Sequence, residues 1–73
     1  MKDEVYLKKL GKKIVLLREQ KDISQRELAR RIKTNNTQIR RIETGIVNSS
    51  INMLRKIAKE FDVSVSELVD ILS

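Results

Sequence analysis

The stretch SQRELARRIKTNNTQIRRIETG, residues 24 to 45, reads as two short helices joined by a tight turn. Ser24-Gln25-Arg26-Glu27 has the spacing of a capping box, in which the serine hydroxyl accepts from the Glu27 amide and the Glu27 carboxylate returns to the Ser24 amide. The helix it opens turns Leu28, Ala29 and Ile32 to one side, and Lys33-Thr34-Asn35 then breaks the apolar period. Asn35 is a good cap for a further helix whose Ile39 and Ile42 make the buried stripe, and Thr44-Gly45 ends it by the C-terminal glycine device.

Three more helical segments flank this pair. On the N-terminal side, Leu7, Leu10, Ile14 and Leu17 recur at spacings of three and four, giving an amphipathic helix over roughly residues 4 to 20. Its Lys8, Lys9, Lys12 and Lys13 would also suit a membrane surface, but four other helices are at hand to cover the apolar stripe, so core packing is the better account. On the C-terminal side, Ser50 can cap a helix that buries Ile51, Leu54, Ile57, Ala58 and Phe61. A second capping box, Ser64-Val65-Ser66-Glu67, opens a fifth helix carrying Leu68, Val69, Ile71 and Leu72. The chain is therefore expected to be all-α, as the absence of Pro and an aromatic content of 3% also suggest.

Composition narrows the function. A chain of 73 residues holds one domain, expected to run over 1 to 73 without linker, repeat or low-complexity tract. A body this small removes only about 60% of its unfolded surface from water, so its core is marginal. With no Cys and no His there is no thiolate or imidazole metal site and no ordinary base for neutral pH. Carboxylates, lysines and Tyr6 remain, at spacings that suggest no catalytic site, so no enzyme, no cofactor and no metal is expected. The longest apolar run, Ile14-Val15-Leu16-Leu17, is far too short to span a bilayer. The charged start through Lys13 lacks the apolar region of a secretory signal, which makes the cytoplasm the expected location.

A net charge of +6 on so small a domain points to a polyanionic partner, although a lysine-rich coat serves solubility as well. The charge is unevenly spread. Residues 1 to 45 hold 13 basic and 6 acidic side chains, whereas residues 46 to 73 hold 3 and 4.

Taken in order, Ile14-x-x-Leu17-Arg18, Ser24-Gln25-x-x-Leu28-Ala29, Ile39-x-x-Ile42-Glu43-x-Gly45, Leu54-x-x-Ile57-Ala58 and Val63-Ser64-x-x-Glu67-Leu68 resemble the DNA-binding domain of the phage repressor and Cro superfamily. Regulators of the xenobiotic-response-element type belong to that superfamily. The resemblance covers roughly residues 10 to 68; it rests on joint order and spacing rather than on any single element. It implies a compact five-helix, lambda-repressor-like fold with a helix-turn-helix at about 24 to 44, formed by the second and third helices. Three positions depart from the pattern. Lys33 stands where the family usually has glycine, in a left-handed conformation that costs a side chain roughly 1 kcal/mol, which puts the turn in question. Thr34 replaces a common aliphatic residue and Ser49 a common proline.

A helix that enters the major groove buries one stripe and offers the other to base edges. With Ile39 and Ile42 inside, a rotation of about 100° per residue puts Thr37, Arg41 and Thr44 outside, with Arg40 near them and Asn36 and Gln38 flanking the tip. The family's base-reading positions fall on Asn36, Thr37, Gln38 and Arg41. Arg41 suits guanine, Asn36 or Gln38 suits adenine, and the Thr37 methyl suits thymine. Gln38 is equally placed to close a capping box with Asn35, and Arg41 to serve as a phosphate clamp. The same resemblance gives DNA phosphates to Gln25, Thr44, Asn48 and Ser50. Arg40 is a further phosphate candidate, and a helix start such as that of Gln25 favours an oxyanion. Ser24 and Ser50 are sufficiently explained as caps. The resemblance also pairs Arg18 with Glu43, which lies about 70° from the centre of its helix's buried face. Such a pair adds little net stability, but loss of one partner strands the other.

One module of this size contacts few base pairs, so a homodimer on an inverted repeat is expected. Apolar side chains on the fifth helix, Val65, Val69 and Leu72, are the candidate interface, with capping of the core as their other role. The expected function is a sequence-specific regulator that occupies a promoter and binds double-stranded DNA, with no small-molecule ligand and with control through its own concentration. The alternative is an antitoxin or other interaction module whose main partner is a protein. An adjacent toxin gene would favour the latter, a divergent promoter with inverted repeats the former.

Overall fold

The computed structural model describes residues 2 to 70, with the side chains of residues 4 to 70. Five helices follow one another: α1 Lys2–Gln20, α2 Gln25–Arg31, α3 Asn36–Glu43, α4 Ile51–Glu60 and α5 Val65–Val69. No strand occurs among the described residues. α1 starts at Lys2 rather than at residue 4, because the apolar period marks only what the helix covers, not where it begins.

Each later helix begins on a side-chain oxygen that accepts from the backbone amide three residues on. Ser24 caps Glu27 at 3.0 Å, Asn35 caps Gln38 at 2.8 Å, Ser50 caps Met53 at 3.1 Å and Ser64 caps Glu67 at 2.9 Å. Only Ser64 completes the box, its amide donating to Glu67 Oε1 at 3.2 Å. At Ser24 the expected return bond is not made. The Glu27 carboxylate accepts instead from Arg30 Nε at 3.0 Å and Arg31 Nε at 2.8 Å, since two guanidiniums attract it more strongly than one amide.

The helix ends repeat one device. Asp22, Lys33, Gly45 and Asp62 all take the left-handed conformation, at φ of 57°, 60°, 76° and 57°. Each closes the paired bonds of a Schellman motif, as where Lys33 N donates to Arg30 O at 3.3 Å and Thr34 N to Ala29 O at 2.8 Å. The turn of the helix-turn-helix therefore keeps its geometry with lysine in the glycine position.

Packing follows the amphipathic faces. α3 lies against both α1 and α2, while α5 lies against α4 and α1. Every helix contributes one side chain with essentially no exposure: Ile14, Leu28, Ile39, Ile57 and Leu68 in order. Each such burial stabilises by about 2 kcal/mol. Leu10, Ala29, Ile32, Ile42, Leu54, Ala58 and Phe61 complete the core. Ile51 departs from expectation: as the first residue of α4 it stands beyond the core and is 61% exposed. No helix among the described residues is long and apolar enough to cross a membrane.

Candidate nucleic-acid interface

The outer face of α3 is set by what its inner face must do. Ile39, Ile42 and Glu43 are buried, and the helix is turned so that Thr37, Arg40 and Arg41 face solvent, with Asn36 and Gln38 half-buried beside them. Asn35 accepts from the Gln38 amide, but the Gln38 side chain makes no returning bond among the described residues. It lies instead with Arg41 along a cleft of about 390 Å³ between α3 and the start of α4, whose other wall is Val47, Asn48, Ser49 and Ser50. Ser50 caps α4, leaving the amides of its first residues free at the positive end of the helix dipole. The cleft therefore combines a guanidinium, side-chain amides and hydroxyls beside the start of α4, a chemistry that suits an oxyanion. Two buried polar atoms near this surface, Asn36 Oδ1 and Ser49 Oγ, have no partner among the described residues.

Behind α3 sits the one buried charged side chain among the described residues, Glu43, at 7% exposure. Arg18 Nε donates to its Oε2 at 2.8 Å and a second Arg18 nitrogen to its Oε1 at 3.3 Å. Gln25 Nε2 donates to the same Oε1 at 2.7 Å. Arg18 also donates to the carbonyl of Ile23 at 3.0 Å, so its fork holds both the carboxylate and the α1–α2 turn. One carboxylate thus ties together α1, the start of α2 and the end of α3. The bond from Gln25 was not visible in the sequence, where that residue reads as the first of its helix and a phosphate candidate; here one of its amide donors is committed inward.

Thr44 ends α3 with its hydroxyl donating to Arg40 O at 2.8 Å, so its donor is turned back on the helix. Arg40 projects freely, and Asn48 is exposed. On α5, Leu68 is fully buried, while Val65 and Val69 are half-buried against the core. The large exposed apolar side chains among the described residues lie elsewhere, at Val5, Leu16, Ile46 and Ile51. Leu72 falls outside the described residues.

Sequence reasoning also passed over Gly11. A Cβ at this position would stand 2.2 Å from the Glu43 carbonyl oxygen and 2.7 Å from that of Ile42, so the backbones of α1 and α3 touch there. The available signal was a lone glycine inside a helical period, between Leu10 and Ile14 on the apolar stripe.

A family described as helix-turn-helix matches residues 14 to 68. Among solved structures, the chain is similar to the restriction-modification controller protein C.AhdI from Aeromonas hydrophila, with 31% identity and a TM-score of 0.81 over 85% of this chain and 94% of that one. It is also similar to the clp gene regulator ClgR from Corynebacterium glutamicum, with a TM-score of 0.82 over 88% of this chain and 68% of that one; at 22% identity this likeness concerns the fold alone. No curated protein sequence matches the chain.

Proposed function

The chain belongs to the helix-turn-helix family of DNA-binding transcriptional regulators, and from that premise we propose that it reads double-stranded DNA by inserting α3 into the major groove, as a cytoplasmic homodimer on an inverted repeat. The observation that carries this reading is the two-sided character of α3. Its apolar side is sealed in the core, whereas Thr37, Arg40 and Arg41 form no internal hydrogen bond through their side chains among the described residues and stand open to a partner. Arg41 is assigned to a base edge, with Asn36, Thr37 and Gln38 beside it. Gln25, Arg40, Asn48 and Ser50 are assigned to phosphates. Thr44 joins them once its hydroxyl rotates away from the helix carbonyls. Arg18 and Glu43 set the angle at which α3 is presented.

The test is selection from a randomised duplex pool at near-physiological salt, repeated with Arg41→Ala. Enrichment of an inverted repeat, relaxed at one base position and weakened by about 1 to 3 kcal/mol in the variant, is the expected result. An unenriched pool with binding that merely fades with salt would leave only nonspecific attraction and overturn the sequence-reading assignment.

A further inference from the structure

Lys8, Lys9, Lys12 and Lys13 of α1 lie ahead of the stretch that matches the family, which begins at residue 14. Lys8, Lys9 and Lys12 are exposed and form no ion pair among the described residues. Lys13 is different, since its ammonium donates to the carbonyl of Glu67. Of these, Lys8 is the one that packs on the glycine at the end of α3. At Gly45, which directly follows the cap of α3, an added Cβ would meet Lys8 N and Lys8 Cγ at 2.9 Å and Lys8 Cα at 3.0 Å. The backbone of α1 therefore rests on the glycine that ends the reading helix, and the stem of Lys8 passes over it.

That contact fixes where the Lys8 charge can go. Three residues of chain, at most about 11 Å, separate Gly45 from Asn48 on the rim of the cleft beside Arg41. Packing the stem removes part of the rotamer freedom that an exposed lysine would otherwise lose on contact, and the ammonium stays in water. Lys9 is turned about 100° away from Lys8 around α1, and Lys12 lies a full turn further along it.

We propose that Lys8 binds a DNA backbone phosphate adjacent to the one reached from the loop between α3 and α4, making α1 a third element of the DNA contact. The proposal rests on the DNA-binding reading given above. Its physical content is a single charge-assisted contact, without sequence preference, positioned by Gly45.

The experiment is fluorescence anisotropy with a labelled 30-bp duplex of mixed sequence, titrated with wild type, Lys8→Gln, Lys8→Arg and Lys59→Gln between 50 and 200 mM KCl. Circular dichroism verifies that each variant is folded. Lys59 is the control for a charge removed elsewhere, since it lies in the last turn of α4, about 13.5 Å along the helix from the Ser50 cap. Loss of one phosphate contact lowers the magnitude of the slope of log K against log salt by about 0.9 per bound chain, with binding roughly fivefold to tenfold weaker at 100 mM. The expected pattern is that loss in Lys8→Gln, its recovery in Lys8→Arg, and a wild-type slope in Lys59→Gln. A wild-type slope in folded Lys8→Gln, or an equal drop in Lys59→Gln, overturns the contact while leaving DNA binding intact. Failure of the wild-type protein to bind the duplex at 50 mM overturns the DNA-binding reading and this contact with it.

Discussion

At Gly11 two opposing residue-scale effects can be weighed by magnitude. Alanine is the better helix former by about 1 kcal/mol, so propensity alone predicts that Gly11→Ala stabilises α1. The structure predicts the reverse, because the added methyl would stand 2.2 Å from a backbone oxygen of α3 and neither backbone can yield without unpacking the other. We expect a loss of more than about 2 kcal/mol in urea unfolding, and a gain would show that the two helices do not touch as described. Lys33 offers the opposite case. Its φ of 60° strains a lysine by about 1 kcal/mol, partly offset in glycine by a freer unfolded chain, so Lys33→Gly should raise the unfolding free energy by a net of about 0.5 kcal/mol, read as a higher urea midpoint. Both positions also show what a sequence can disclose. The strain at Lys33 was legible because the turn that demands it is local. The crossing at Gly11 was not, because helical periodicity says nothing of which distant backbone lies on top. Glu43 falls between the two: its partner Arg18 was reachable by resemblance, whereas the donation from Gln25 depends on how closely α2 approaches α3.

Among the elements, the limits of the helices were the most legible part of the fold, since four caps and the ends at Lys33 and Gly45 are written in short-range residues, whereas the left-handed Asp22 and Asp62 were not anticipated. At the first capping box, reading by motif failed because of a competing charge. Ser24 and Ser64 have the same residue three positions on, yet Arg30 and then Arg31 capture Glu27 and draw its pKa from 4.5 down to about 2. A carboxylate whose folded pKa is lowered contributes stability that is fully present above its unfolded value and is lost as pH falls through its folded value. Thermal unfolding should therefore show a contribution from Glu27 that fades between about pH 4.5 and 2 and is missing in Glu27→Gln. Because this cluster is exposed, added salt should shrink the effect. A Glu27 carboxyl that titrates near 4.5 by NMR would remove the basis for it.

At the scale of the whole molecule, five helices share one core to which each gives a single fully buried side chain, so none of them is expected to persist alone. A chain of this length has a stability of about 4 to 11 kcal/mol. Leu68→Ala, on a helix of only five residues, should cost about 3 kcal/mol and lower the midpoint of thermal unfolding by roughly 15 °C as one cooperative transition. A small shift, or separate melting of α5, would mean that the last helix is only loosely attached. Charge is also a property of this scale, and the sequence is a poor guide to it. Its two halves differ sharply in net charge, yet the fold lays Lys56 and Lys59 of the second half beside Arg31 and Lys33 of the first.

The crossing at Gly11, together with the clasp on Glu43, leaves α1 and α3 no room to slide over one another. A reader built this way is stiff, and in an encounter with an imperfect site the softer body yields. Here that body would be the duplex, whose bending and groove width depend on base pairs that no side chain touches. Part of this protein's choice among sites would then be exercised through the flexibility of the DNA, and changes at uncontacted positions of a site would alter its affinity.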